Sequence, residues 1–296
     1  MRAAPSDEPT IDPARDPLTS VRVVRALLER HGLRADKRFG QHFLTDQAVV
    51  AAVVAAADVG SRDEVWEVGP GVGVLTRALA ERAERVVSIE LDGRLLPLLE
   101  QTLAGHDNVE LRHADALRVD LAEARPGSVL AANLPYNVGT AVLLRALSAG
   151  SFRRIGVLVQ LEVAERLVAR AGERAFGSLS LHVAHYGSAR ITRRVAAGAF
   201  MPPPAVTSAV VAIDLAPDVQ SDPRTFALVR RGFAHRRKTL LANLRMAGLS
   251  ADAVRAALDA CGLDPRVRAE ALDLATFRRL ARSLPALVDA DGESAS

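Results

Sequence analysis

The stretch Val65-Trp66-Glu67-Val68-Gly69-Pro70-Gly71-Val72-Gly73-Val74-Leu75 constrains the fold more than any other part of the chain. A short apolar run, Val65 to Val68, enters three glycines at alternate positions, and a helical pattern follows with apolar residues at 74, 75, 78 and 79. A strand, a tight glycine turn and a helix start let backbone N–H groups approach a ligand closely. The glycines follow G-x-G-x-G. A dinucleotide fingerprint needs its third glycine one place later, where Val74 stands. The next apolar run, Arg85 to Ile89, ends in Glu90, a carboxylate able to accept both hydroxyls of a ribose.

From Val65 onward short apolar strands alternate with helical patterns. Strands are predicted at 65–68, 86–90, 109–112, 128–132 and 154–159, with helices at 74–83, 93–104, 116–124, 138–148 and 161–171. Such alternation with short connections predicts parallel strands and crossover helices, a doubly wound α/β sheet. Residues 180–185 and 207–215 read as two further strands without a helix between them, an antiparallel hairpin. Two helices precede the sheet, one capped by Thr19 or Ser20 and ending near His31, another over 46–57. Beyond Pro217 only helical patterns remain, at 223–235, 238–247, 250–261 and 273–283. The expected organisation is a disordered Pro-rich tail (1–17), an α/β domain (18–216), a small all-α C-terminal domain (217–288) and a disordered acidic tail (289–296).

Charge separates these parts. The whole chain carries +3, but residues 18–288 hold 36 basic and 28 acidic residues, and 217–288 alone hold 13 and seven. A basic helical end fits a polyanionic partner such as nucleic acid, and Arg236, Arg237 and Lys238 stand together at a predicted helix start, where three cations can meet phosphates. No apolar run reaches the roughly 18 residues of a membrane span, and no signal-peptide core opens the chain. The single Cys261 excludes an internal disulfide and a Cys-based zinc site, which fits a cytoplasmic setting. His182 and His185, read on a strand, fall on opposite faces with no acidic or Cys cluster beside them. No metal is expected.

Asn133-Leu134-Pro135-Tyr136 follows the apolar strand 128–132, at the sheet edge that also carries Gly69 and Glu90. This tetrapeptide suits methyl transfer to an adenine amino group. The nitrogen lone pair is delocalised into the ring, so the amine is a poor nucleophile. A carboxamide oxygen (Asn133) and a backbone carbonyl (Leu134 or Pro135) can accept both amino hydrogens, localise the lone pair and stabilise the growing positive charge. Pro135 fixes the backbone, and Tyr136 offers a face for a purine drawn out of its stack.

The glycine turn with Glu67 and Glu90 resembles the S-adenosylmethionine site of Rossmann-like class I methyltransferases. The chain as a whole resembles the ribosomal RNA adenine N6,N6-dimethyltransferases, in the KsgA branch that modifies small-subunit RNA. The matching segments are Phe39–Leu44, Glu67–Gly73, Ser88–Asp92, Asp115-Ala116, Asn133–Tyr136, Phe200–Ser208 and Phe233–Asn243, in the family's order across about residues 20 to 285. The resemblance implies S-adenosylmethionine as cofactor and S-adenosylhomocysteine as product, with no metal. It places the cofactor against His42, Leu44, Gly69, Glu90, Asp115, Ala116 and Asn133. Asp115 and Ala116 would meet the adenine ring and Gly69 the methionine portion. His42 stands where the family often has Asn. Phe200 would close on the target base opposite Tyr136. The implied substrate is two adjacent adenosines in a 3'-terminal hairpin of small-subunit RNA within a pre-ribosomal particle, acted on by a monomer.

Three other functions compete. A large-subunit RNA methyltransferase conferring macrolide resistance would share the turn, but the Phe233–Asn243 segment resembles the small-subunit branch. A nicotinamide dehydrogenase is disfavoured by Val74. A non-catalytic assembly factor is disfavoured by the presence of Glu90, Asn133 and Tyr136 together.

Overall fold

The apolar run at Val65 lies inside a seven-stranded sheet in the computed structural model, which describes residues 11–285. The strands are β1 (Phe43–Leu44), β2 (Glu64–Val68), β3 (Arg85–Glu90), β4 (Val109–His113), β5 (Ser128–Asn133), β6 (Phe152–Gln160), β7 (Gly187–Val195), β8 (Phe200–Met201) and β9 (Ser208–Leu215). The large sheet has the order β4-β3-β2-β5-β6-β9-β7, while β1 and β8 form a separate antiparallel pair. The pairs β2–β3, β3–β4, β2–β5 and β5–β6 are parallel. The chain therefore steps outward from β2 to β4 and returns to lay β5 on the other side of β2. Open α/β sheets bind ligands in the crevice this reversal creates, at the carboxyl ends of the strands. Gly69 ends β2 and Asn133 ends β5 at that point.

The helices are α1 (Val21–Arg30), α2 (Gln47–Ala57), α3 (Val74–Ala80), α4 (Leu96–Thr102), α5 (Gly139–Ser148), α6 (Leu161–Val168), α7 (Ser178–Tyr186), α8 (Pro223–Gly232), α9 (Leu240–Met246), α10 (Ala251–Ala260) and α11 (Leu274–Ser283). Ser20 caps α1 and Asp46 caps α2, whose Oδ1 accepts from Ala48 N at 2.8 Å. The apolar stripe of α2 (Val50, Val53, Ala57) packs with Val65, Val129 and Leu158 in one buried cluster. The approach to β6 is close: a Cβ on Gly156 would stand 2.3 Å from Ala57 N. Among the described residues no helix is long and apolar enough to cross a membrane.

The described chain divides into two compact units, one of residues up to 161 with 192–212, the other of 162–191 with 213 onward. The second unit thus takes in a segment well before the expected boundary at 217. Its core explains why: Phe176 and Leu181 are buried in one cluster with Leu228, Leu240, Leu258 and Phe277.

Three expectations are corrected. Residues 180–185 are helical, part of α7, and the strand begins at Gly187. Leu179, Leu181, Val183 and His185 are all buried, so a helix covered on several sides shows the alternating pattern of a strand. The hairpin itself exists: Thr192 bonds Val210 O and Arg190 bonds Asp214, the rising-against-falling register of an antiparallel pair. The helix expected at 116–124 reduces to a 3₁₀ turn at Leu121–Glu123. Residues 11–17, expected to be disordered, are folded onto the first unit. Ile11 is buried with Val24 and Leu27, and Arg77 donates to Asp16 O at 3.0 Å and also to Pro13 O. Residues 1–10 and 289–296 of the two tails lie outside the described residues.

Candidate active site

All three glycines of the turn have left-handed backbones, with φ of +73° at Gly69, +62° at Gly71 and +89° at Gly73. Space is tight as well: a Cβ on Gly69 would lie 3.3 Å from Pro135 Cγ, and one on Gly71 3.1 Å from the Phe43 ring. The turn is fastened to β3 by Gly69 N donating to Ile89 O at 2.9 Å. It floors a cavity of about 200 Å³ that lies wholly within the first unit. Gly69, Glu90, Asp115, Asn133 and Tyr136 all line it, and so do His42 and Leu44.

Two acids meet under the turn. Glu90 at the end of β3 is buried and accepts from Asp92 N at 2.8 Å. Burial pushes its carboxyl up, opposed by backbone N–H donors that include Gly71 and Leu91. Glu67, fully buried in β2, accepts from Thr76 Oγ1 at 2.7 Å and Ser88 Oγ at 2.8 Å. Burial nevertheless pushes it up to about 7, the hydroxyl donors oppose the rise, and the charge of Glu90 adds to it. Asp115 accepts from Leu117 N at 2.9 Å, and Ala116 beside it is buried.

The Asn133–Tyr136 tetrapeptide starts at the last residue of β5. Asn133 Nδ2 donates to His42 O at 3.2 Å. Among the described residues its Oδ1 has no hydrogen-bond partner in the chain and remains an acceptor. Pro135 O is already taken by Val138 N (3.3 Å) and Gly139 N (2.8 Å) at the start of α5. Of the two candidate backbone carbonyls, Leu134 O is therefore the free one. The Leu134 side chain is buried, and its N–H donates to Leu158 O at 3.1 Å. Tyr136 is fixed at its hydroxyl, 2.6 Å from Ser208 Oγ. Its ring lies 5.4 Å from that of His42, tilted by 31°. His42 Nδ1 is 2.8 Å from Pro202 O. A carbonyl can only accept, so Nδ1 carries a proton and orients the ring.

Phe200 is not brought to this group. It is buried in β8 opposite Leu44, within the cluster that holds Val49 and Val53, and does not line the cavity. Arg236, Arg237 and Lys238 belong to the second unit, in the loop between α8 and α9. His182 and His185 sit on α7, where a spacing of three places them on one face rather than two. Both pack on Phe226, at 4.1 and 5.1 Å between ring centroids. Both His185 nitrogens are engaged, by Arg278 at 2.7 Å and Gln220 O at 3.0 Å. Sequence reasoning missed the cavity rim: Gln41 Nε2 donates to Asp92 Oδ2 at 2.9 Å, and Asn137 Nδ2 to Arg38 O at 3.2 Å. It also missed Ser208 and Thr76, small hydroxyls whose roles depend on residues distant in the chain.

The sequence signature of the ribosomal RNA adenine dimethylase family matches residues 32–285. The ribosomal RNA small subunit methyltransferase A of Deinococcus radiodurans is 44% identical over 283 residues, 95% of this chain and 94% of its own length. The protein of that name from Lactiplantibacillus plantarum is 41% identical over 277 residues, 88% of this chain and 93% of its own. Among solved structures, a dimethyladenosine transferase from Plasmodium falciparum shares the fold, with a TM-score of 0.69 at 23% identity over 80% of this chain and 95% of that one. The 23S rRNA methyltransferase ErmE has a TM-score of 0.61 at 27% identity, over 81% and 98%.

Proposed function

Because the chain belongs to the ribosomal RNA adenine dimethylase family, we propose that its cavity holds S-adenosylmethionine and that it dimethylates N6 of two adjacent adenosines in a 3'-terminal hairpin of small-subunit ribosomal RNA. The observation that carries the chemistry is the pair of free acceptors, Asn133 Oδ1 and Leu134 O, beside a glycine turn at the sheet's switch point. The residues present fit the cofactor. The glycine turn, Glu90, Asp115, Ala116 and Asn133 line one cavity, Glu90 can accept two ribose hydroxyls, and Asp115 with Ala116 borders the place for an adenine. When bound, S-adenosylmethionine supplies a methyl group activated on a sulfonium.

The chain's own residues prepare the nucleophile. Asn133 Oδ1 and Leu134 O accept the two amino hydrogens, turn the nitrogen lone pair out of conjugation and stabilise its positive charge. Tyr136, held by Ser208, gives the base a surface to stack on. The second transfer presents only one N–H, so one of the two acceptors must then face a methyl group. Arg237 and Lys238 on the basic second unit would meet RNA phosphates. Small-subunit RNA is favoured over large-subunit RNA by identities of 44% and 41% to the small-subunit enzymes against 27% to ErmE. The protein would act as a cytoplasmic monomer on a pre-ribosomal particle. Incubation with labelled S-adenosylmethionine and undermethylated ribosomal subunits, followed by nucleoside mass spectrometry, tests this. Dimethyladenosine should appear in small-subunit RNA. Label confined to large-subunit RNA, or none, would refute the assignment.

A further inference from the structure

The loop from Phe233 to Thr239 in the second unit is fastened at several points by its own unit. Asn243 on α9 is 2% exposed. Its Nδ2 donates to Gly232 O at 2.7 Å and to His235 O at 3.2 Å, whereas its Oδ1 is buried with no partner. A flipped amide would turn that oxygen onto two carbonyl oxygens, so the orientation is fixed by chemistry. The side chain thus leaves one of its own polar atoms unmatched in order to hold the two carbonyls that frame the loop. Arg236 is turned the same way. Its Nη2 donates to Arg174 O at 2.7 Å and Phe176 O at 3.3 Å, and lies 3.6 Å from Glu270 Oε2. The far end is closed by Leu240 N donating to Val267 O at 2.8 Å and by Thr239 Oγ1 accepting from Ala242 N at 3.2 Å.

All three consecutive cations are exposed, Arg236 with 52% of its side chain open to solvent, but Arg236 commits its Nη2 to its own unit, which leaves Arg237 and Lys238 as the two that are unengaged. Among the described residues neither of these two side chains has a hydrogen-bond or ion-pair partner. Two unpaired cations on a backbone already fixed lose little freedom when they meet phosphates at a set spacing. We propose that Asn243 and Arg236 are positioning residues: they hold the Phe233–Thr239 loop so that Arg237 and Lys238 engage RNA phosphates, and Arg236 is not itself a phosphate ligand. This rests on the RNA-modifying function proposed above.

The test compares full-length variants in steady-state methylation of undermethylated small subunits at several salt concentrations, with S-adenosylmethionine affinity measured separately. Asn243→Leu keeps shape and neutrality but has no donor. It should raise KM for subunits about 5- to 20-fold, the range expected for two weakened phosphate contacts. Its kcat and cofactor affinity should be unchanged, and its salt slope should fall toward that of Arg237→Gln/Lys238→Gln. In that double-variant background Asn243→Leu should add nothing, because the cations it positions are gone. An equal penalty in both backgrounds, or an unaltered salt slope, would show that Asn243 merely supports the fold and would overturn the proposal. Arg236→Lys keeps the charge and loses the planar fork, so KM should rise several-fold. This arm decides the matter alone if Asn243→Leu does not fold: unchanged KM in Arg236→Lys, with a raised KM in Arg236→Gln, would make Arg236 a phosphate ligand after all. If Arg237→Gln/Lys238→Gln changes neither KM nor salt slope, the loop does not touch RNA and the assignment of this surface fails first.

Discussion

Replacing Glu67 with Gln should change how the stability of the first unit depends on pH. The folded carboxyl is pushed up to about 7 from its ordinary 4.5 because it is fully buried. Below 4.5 it is protonated in both folded and unfolded chains. Between 4.5 and about 7 the folded chain keeps a proton that the unfolded chain has released, so its contribution to stability falls as pH rises. Above about 7 both are ionised and the contribution is gone. At about 1.4 kcal/mol for each pH unit, the window corresponds to about 3 kcal/mol. Gln does not titrate, and its amide oxygen can still accept from Thr76 and Ser88. The stability of E67Q relative to the wild type should therefore rise by about 3 kcal/mol between about pH 4.5 and pH 7.5. Urea unfolding followed by fluorescence of Trp66, the single tryptophan and the neighbour of Glu67 in β2, measures this unit directly. Subtracting the two curves cancels titrations common to both proteins. A flat difference across that range would show that Glu67 is not held protonated by burial. A corollary concerns the cofactor: its positive charge lowers the Glu67 pKa, so its binding should strengthen from about pH 6 to pH 8 in the wild type and stay level in E67Q.

Asn133→Ala removes the acceptor proposed for the reacting amine and should reduce kcat about 100-fold with RNA affinity retained, as single-turnover assays and filter binding would show; near-normal turnover removes Asn133 from that role. Glu90→Ala deletes a charged acceptor for two hydroxyls, and calorimetry should find cofactor affinity at least about tenfold weaker. Tyr136→Phe keeps the ring and loses only the bond to Ser208 Oγ, so activity should fall only a few-fold, whereas Tyr136→Leu should lose about 1–3 kcal/mol of base capture. Equal activity of the two would mean that the ring is not a stacking surface.

The parts of the site legible in the sequence are those whose chemistry is local. Gly69, Gly71 and Gly73 announce a turn that only glycine can make, Glu90 announces itself by ending a strand, and Asn133-Leu134-Pro135-Tyr136 carries its donors and acceptors within four residues. What stayed hidden depends on distant partners. Which carbonyl is free was settled by the start of α5, whose N–H groups occupy Pro135 O. Phe200 looks like a base-stacking aromatic in the sequence, whereas in the fold it is buried in the cluster with Leu44, Val49 and Val53. Helix α7 imitates a strand because neighbours bury it on more than one side. Gly177 before it and Gly187 after it were the available signal, with Ser180 Oγ accepting from Gly177 N at 3.1 Å. Residues 11–17 read as polar and Pro-rich, and the burial of Ile11 with Val24 and Leu27 and the Arg77 guanidinium show why they are held.

The composite make-up of the second unit has a bearing on inheritance. Its core draws Phe176 and Leu181 from one stretch of the gene and Leu228, Leu258 and Phe277 from another, with β7 and the Phe200–Ser208 segment encoded between them. A single recombination joint near codon 217 would part residues that must be packed together. Exchange of this unit alone between relatives therefore requires three matched joints, at codons 161/162, 191/192 and 212/213, and a premature stop after codon 216 would expose the apolar faces of Phe176 and Leu181. Lineages should accordingly diverge here by point substitution within paired segments rather than by swapping an interchangeable cassette.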